Sequence, residues 1–306
     1  MQRSSPTSVL FTTYNLLDLA EAAGARYDTL VGVIRALDTD VLAVQEVLGQ
    51  EPESAAALLR RLAADTGLRC AVPGPAGDPV ALAIGGHGFH LGLLWRDGIE
   101  PVPGSLICRG ARDFWHGLVM VTLDVGGTLV RHASFHGAPF SRSLRAAQNE
   151  YVVATVLRPS GEPPVLIGAD WNTECADRTR SDDGSWRLYE PADPYAGVSW
   201  FPDLVHQCEW DYDQAGVRRH WSDRRPGEVL WAGGLYDAAA ILGAQWQPTC
   251  GHHPSDVYGQ HGVRRRIDAI RVTSSLVPGL RRHRVHDTAE ARAASDHLPV
   301  TVEYQP

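Results

Sequence analysis

The chain has 306 residues, 44% of them hydrophobic, which suffices for one large α/β domain or two ordinary ones. Its formal net charge of −8 argues against a protein whose main task is to coat nucleic acid, although a locally basic cleft would still allow a nuclease. All 28 lysine-plus-arginine side chains are arginine, which excludes Schiff-base, P-loop and lysine-nucleophile chemistry from this chain's own residues.

Met1 to Ser8 is short and polar, with no apolar stretch behind a basic head, so neither a signal peptide nor a membrane span is expected there. Ser8 to Asn15 reads as a first strand that delivers Asn15 at its C-terminal end. Tyr27 to Leu37 places Leu30, Val31, Ile34 and Leu37 at helical spacing. Val41 to Val47 is an apolar strand ending in Gln45-Glu46. A carboxylate closing such a strand is costly to bury unless it is paired or holds a cation. Pro52 to Thr66 reads as a second amphipathic helix. Gly85 to Arg96 is a glycine-rich approach to a further strand, with glycines expected to serve turns and close packing because no phosphate-loop spacing follows. Leu118 to Val125 and Thr128 to Phe135 flank Gly126-Gly127 as a hairpin.

The second hairpin strand runs into His136, Gly137, Ala138 and Pro139. Ser141 to Leu157 is then a helix that Ser141 can cap. Pro164 to Asn172 follows as a short buried strand with Asp170 and Asn172 just past its end. Period-two alternation puts those two on one side, where they can meet one phosphate or one metal; an Asx turn is the plainer alternative.

Cys175 to Leu235 changes character, with five tryptophans, many prolines and the pairs Arg218-Arg219 and Arg224-Arg225. It reads as a long, partly ordered insertion that selects the substrate, with an arginine fork for a second phosphate or a carboxylate. Tyr236 to Gly243 is expected to be a short helix. Thr249 to His253 lacks the spacing of a closed zinc site. Arg264 to Val272 reads as a strand with Asp268 inside it, and Ser295-Asp296-His297 precedes a last strand to Tyr304. The five cysteines are odd in number, widely spread and without a CxxC, which points to a reduced, cytoplasmic protein.

Tyr14-Asn15, Gln45-Glu46, His136 to Pro139, Asp170 to Asn172, Arg266 to Asp268 and Ser295 to Val300 together resemble, in order, the motifs of the endonuclease/exonuclease/phosphatase superfamily. The resemblance spans nearly the whole chain, 1–306, as one domain. It implies a four-layered α/β sandwich of two packed, mostly antiparallel sheets flanked by helices. The implied activity is metal-dependent phosphoester hydrolysis. A nuclease-like phosphodiesterase leads, a phosphomonoesterase of a small metabolite, nucleotide or lipid head group is second, and a non-catalytic binding protein of the same fold is third. The resemblance makes Glu46 the principal ligand of magnesium, for which manganese can stand in, with Asn15 and Asp296 near the same cation. Asp268 orients His297, which activates water. Asp170 and Asn172 align the nucleophile and hold phosphoryl oxygens, and His136 steadies the charge of the transition state. Deoxyribonuclease-like members carry a Glu near Phe89, His90 and Leu91 to support the residue matching His136. None is present here, so a neutral hydrogen-bond donor is expected at His136 rather than a strong acid.

Overall fold

The computed structural model of the chain describes residues 8–20, 24–75, 77–156, 162–181, 183–253 and 263–306. Most of the polar start from Met1 to Ser8, and Leu157 at the expected end of its helix, lie outside the described residues. Two seven-stranded sheets form the centre. The first runs in the order Leu280–Val285, Val300–Tyr304, Val9–Leu19, Val41–Leu48, Phe89–Arg96 and Leu68–Arg69, with Leu82–Ala83 added on Phe89–Arg96. The second runs Leu235–Asp237, Asp268–Thr273, Val165–Asp170, Thr128–His136, Gly117–Val125 and Glu100–Pro101, with Ile107–Arg109 added on Gly117–Val125.

Each sheet contains one parallel pair among otherwise antiparallel strands. Val9–Leu19 lies parallel to Val41–Leu48, and Thr128–His136 lies parallel to Val165–Asp170. Parallel neighbours need a crossover, and each pair has a helix for it, Gly24–Leu37 in the first and Arg142–Val156 in the second. Both pairs therefore carry their C-terminal ends, with Asn15, Glu46, His136 and Asp170, to the same edge. Helices Gly24–Leu37 and Pro52–Thr66 bury Leu30, Ile34, Leu58 and Leu62 in the core of the first sheet. Arg142–Val156 and Arg225–Ala232 bury Val152, Val156 and Leu230 against the second. The result is the expected helix–sheet–sheet–helix sandwich.

The sheets meet at Gly168. A β-carbon there would lie 2.8 Å from the Thr13 β-carbon and 3.1 Å from that of Ala43, so no side chain fits. One residue away from that contact, Gln45 donates from Nε2 to Ser134 Oγ (2.9 Å), and Ser134 Oγ donates to the Val44 carbonyl (3.0 Å). These buried groups satisfy one another and set the register between the layers.

Several elements differ from the sequence reading. Tyr236 does not begin a helix: Leu235–Asp237 is an edge strand, and the helix is the short Ala238–Ile241, capped by the Asp237 carboxylate on the Ala239 N–H. A tyrosine before a cap residue is strand material, and the alanine run alone is helical. Asp268 is the first residue of its strand, Asp268–Thr273, rather than an interior one. The insertion is more regular than its lack of periodicity suggested. It holds two small hairpins, Arg178–Arg180 with Trp186–Leu188 and Cys208–Tyr212 with Arg218–Ser222, and helix Arg225–Ala232. Ser141 caps its helix through the Leu144 N–H, as expected.

Gly168→Ala should cost about 1–3 kcal/mol in urea unfolding, the range for overpacking a tight core. A second test concerns His132, which is fully buried, faces the first sheet and meets the Tyr304 hydroxyl at 2.8 Å. Burial drives its pKa down to about 3, so the folded chain refuses a proton that the unfolded chain takes below about pH 6.5. Its contribution is intact above that pH and is lost as the pH falls toward the folded value. Unfolding free energy should therefore decline below pH 6.5, by about 1.4 kcal/mol per pH unit for each such histidine. His132→Gln should flatten the slope by one proton.

Candidate active site

Six segments meet at the shared strand edge. The node is Asp170, the last residue of Val165–Asp170 and almost fully buried. Its Oδ2 accepts from Asn15 Nδ2 (3.1 Å) and faces His136 Nε2 (3.4 Å) and His297 Nε2 (3.8 Å). Its Oδ1 accepts the Asn172 N–H (2.9 Å). That last bond is the Asx turn weighed from the sequence, so the turn and the site coexist. Burial alone would raise the Asp170 carboxyl, but the His297 and His136 imidazoles and the Asn172 N–H hold it below the usual carboxylate range.

His297 Nδ1 lies 2.7 Å from Asp268 Oδ2. Asp268 stands directly across from Asp170 in the sheet register and is wholly buried. Thr249 Oγ1 accepts the backbone N–H groups of Ile267 and Asp268, and the Thr249 carbonyl accepts the Leu298 N–H. The Thr249–His253 stretch thus braces the pair. Burial disfavours an imidazolium at His297, yet Asp268, Asp296 and Asp170 lift its pKa well above the ordinary value. Burial also raises Asp268, with His297 offsetting part of the rise. Both directions describe one tightly held proton between the two groups.

Glu46 sits in a β-bulge with φ of +64°. Left-handed backbone at a non-glycine residue costs of order 1–3 kcal/mol and is retained where the surroundings over-determine it. Asn15 Nδ2 donates to Glu46 Oε1 and the Asp18 N–H donates to Oε2, both at 3.0 Å. Each oxygen keeps lone pairs for another partner. Burial raises the Glu46 carboxyl, His136 offsets part of the rise, and the nearby Asp296 adds to it. Glu46 and Asp296 offer oxygen only, which suits a hard divalent cation. Asn15 orients Glu46 and Asp170 through Nδ2, and its Oδ1, which accepts the Leu17 N–H, keeps a second lone pair beside Glu46. Among the described residues Asp170, Asp268 and His297 also place ligand atoms within 4.8 Å of one another. The Asp268–His297 hydrogen bond takes up Asp268 Oδ2 and His297 Nδ1, leaving Asp268 Oδ1 and His297 Nε2 outside it.

All eight sequence-predicted residues except the buried Asn15 and Asp268 line one cavity of about 370 Å³, and those two hydrogen-bond to residues that do. Asn172 has φ of +51° and anchors its amide on the Gly137 carbonyl at 3.1 Å. Sequence reasoning missed His116, Trp115, Phe140, His206 and Arg265, which line the same cavity. His116 stacks on His136 with centroids 4.0 Å apart and planes 15° apart. Burial and His136 push its pKa down to about 2. A neutral ring therefore stands beside His136, and Phe89 packs edge-on against that ring at 5.7 Å. The signal was in the hairpin: a Gly126-Gly127 turn pairs Gly117 with His136 and puts His116 at the same level.

The insertion reaches the cavity through Asp203, His206 and Gln207. Neither arginine pair lines it. Arg218 lies over Trp200 (4.4 Å) and donates to the Tyr212 hydroxyl, Arg219 pairs with Asp213, and Arg224 donates to the carbonyls of Cys175 and Ala192. These guanidiniums are spent on holding the insertion together.

A sequence profile described as the Endonuclease/Exonuclease/phosphatase family matches residues 12–297. No curated protein matches the chain. Solved structures share the fold at low identity. Truncated Caenorhabditis elegans TDP2 is 14% identical, with 98% of each chain covered and a TM-score of 0.60. A Bacteroides thetaiotaomicron mannosyl-6-phosphatase is 14% identical, with 96% of this chain and 98% of that chain covered and a TM-score of 0.57. An AP endonuclease from Archaeoglobus fulgidus is 13% identical, with 97% of this chain and 100% of that chain covered and a TM-score of 0.60. Among the described residues no helix is long and apolar enough to cross a membrane.

The Glu46 geometry predicts that Glu46→Gln weakens magnesium or manganese binding at least about tenfold, since one charge-assisted contact is lost. Calorimetric titration with manganese reads this without any substrate, and unchanged affinity would place the cation elsewhere.

Proposed function

The chain belongs to the endonuclease/exonuclease/phosphatase family, whose members are hydrolases of phosphoester bonds, and from that premise we propose that it is a magnesium-dependent phosphodiesterase. The observation that supports this most is the buried Asp268–His297 pair, 2.7 Å apart, with His297 Nε2 turned into the cavity that Glu46 and Asp296 line.

His297 takes a proton from the attacking water at Nε2. Asp268 holds the other ring nitrogen, which fixes the tautomer and stabilises the imidazolium that forms. Asp170, held ionised, accepts from the same water and orients it. Asn172 and the Gly137 loop shape the wall behind it. His136 has one N–H when neutral, and its Nε2 faces Asp170, so we assign it to positioning Asp170, with His116 stacked beside it. Glu46 and Asp296 would hold a divalent cation, which would supply positive charge for the phosphoryl oxygens.

A diester is favoured over a monoester by the charge count. Among the described residues five carboxylates line the cavity, Asp18, Glu46, Asp170, Asp203 and Asp296, against one arginine, Arg265. A monoanion suits that balance better than a dianion. The five unpaired cysteines support a reduced, cytoplasmic setting.

Hydrolysis of bis(p-nitrophenyl) phosphate should need magnesium or manganese and stop in excess chelator. His297→Ala and Asp268→Ala should each lower turnover by roughly two to four orders of magnitude. The double variant should be hardly worse than the weaker single, because the two act as one unit. Additive losses, or a fast His297→Ala enzyme, would show that the pair is misassigned.

A further inference from the structure

The reaction accounts for Glu46, Asp170, Asp296, His136 and His297 and leaves the aromatic lining of the cavity without a role. Phe89, Trp115 and Phe140 all line it, each half-buried, together with His87 and His206. The rings form a connected series. His87 lies over Trp115 with centroids 4.8 Å apart, Phe140 meets Trp115 edge-on at 6.2 Å, and His206 meets Phe140 edge-on at 5.3 Å.

The backbone is shaped to hold this wall. A β-carbon on Gly85 would lie 1.8 Å from the Phe89 carbonyl oxygen, and one on Gly86 would lie 2.6 Å from that of Trp115. The Gly86 N–H donates to that Trp115 oxygen at 3.1 Å, and His87, between Gly86 and Gly88, has φ of +59°. On the other flank Arg145, almost fully buried, donates to the carbonyls of Ala138 (2.9 Å), Pro139 (3.3 Å) and His206 (2.7 Å). Gln207 Nε2 adds a bond to the Pro139 carbonyl at 3.1 Å. A buried guanidinium serving only as a clamp is expensive, and here it fixes Phe140 relative to His206.

Partly exposed rings inside a cavity gain most from a ligand that offers a flat face. A polynucleotide would need a row of cations for the phosphates beside the reacting one, and among the described residues this lining supplies a single arginine. The volume of about 370 Å³ lies at the small end of the range that encloses a compact organic ligand. A polyhydroxylated sugar would need convergent polar side chains where these rings stand. We infer that the substrate is a small phosphate ester whose organic group carries one planar ring system of nucleobase size, seated against Trp115 and Phe140. The inference rests on the phosphoesterase reading of the same cavity.

Two esters with a common leaving group isolate the ring: thymidine 5′-(p-nitrophenyl) phosphate and methyl p-nitrophenyl phosphate, each with magnesium. The wild-type ratio of kcat/KM should favour the nucleoside ester. Trp115→Ala should cut that ratio by about 5- to 150-fold, the range that stacking of one base is worth, and Trp115→Phe should keep most of it. A wild-type ratio near one, or a ratio that Trp115→Ala leaves unchanged, would overturn the inference while the hydrolase stands. So would a higher kcat/KM for a short oligothymidylate than for the nucleoside ester. If neither ester is hydrolysed, the proposed reaction fails, and calorimetry with thymidine 5′-monophosphate decides the ring site separately. Binding that Trp115→Ala weakens supports the site, and no wild-type binding refutes it.

Discussion

Asp170 is the constraint from which the rest of the site follows. It ends a strand of the second sheet, yet one of its oxygens takes a hydrogen bond from Asn15 in the first. A carboxylate buried this completely survives as an anion only if donors converge on it. Here the donors are Asn15 Nδ2 and the Asn172 N–H, with the His136 and His297 imidazoles facing the same carboxylate at 3.4 and 3.8 Å. Moving one sheet relative to the other would therefore leave a buried charge unmatched. The chemistry and the docking of the two layers are the same interaction. This is also why Gly168 must stay bare two residues earlier, since a methyl group there would spread the sheets at the point where Asp170 needs them close.

Strain is concentrated in the same place. Leu17, Asp18, Glu46 and Asn172 all carry positive φ, and each lies at or just past the end of a strand that feeds the site. A strand that ran on regularly would alternate its side chains up and down and send half of them away from the edge. The bulge at Glu46 turns a residue that would otherwise continue the ladder toward Asn15 and Asp296. Hydrogen bonds to both Glu46 oxygens hold that unfavourable backbone in place.

Much of this was legible in the sequence because strand ends are local. An apolar run closed by Asn15, Glu46, His136 or Asp170 announces itself within eight residues. The pairing of Asp268 with His297 came from resemblance, and the reason is visible in the fold: the two stand 29 residues apart, and the Thr249 turn that braces their backbones is marked by no local pattern. The insertion was misread in one respect. Arginines beside tryptophans have the same composition whether they wait for a phosphate or brace each other, and Arg218 and Arg219 are bracing. The aromatic wall was invisible for a different reason. Its rings come singly from loops whose only shared trait is tight backbone contact, and the glycines that permit that contact read as ordinary turns.

The order of strands in the first sheet bears on how the protein is made. Val9–Leu19 is a central strand, and its partner on one side is Val300–Tyr304. The Thr12 and Thr301 hydroxyls bonded across that seam are 289 residues apart in the chain. At ribosomal rates of about 5–20 residues per second, the first strand waits roughly 15–60 s for its neighbour to be synthesised. Until then the Asn15 end of the site has no Ser295 hydroxyl on its carbonyl and no His297 across from it. Until Val300–Tyr304 has been made, Val9–Leu19 keeps one open edge in the middle of its sheet, and the candidate site stays unassembled at its Asn15 end.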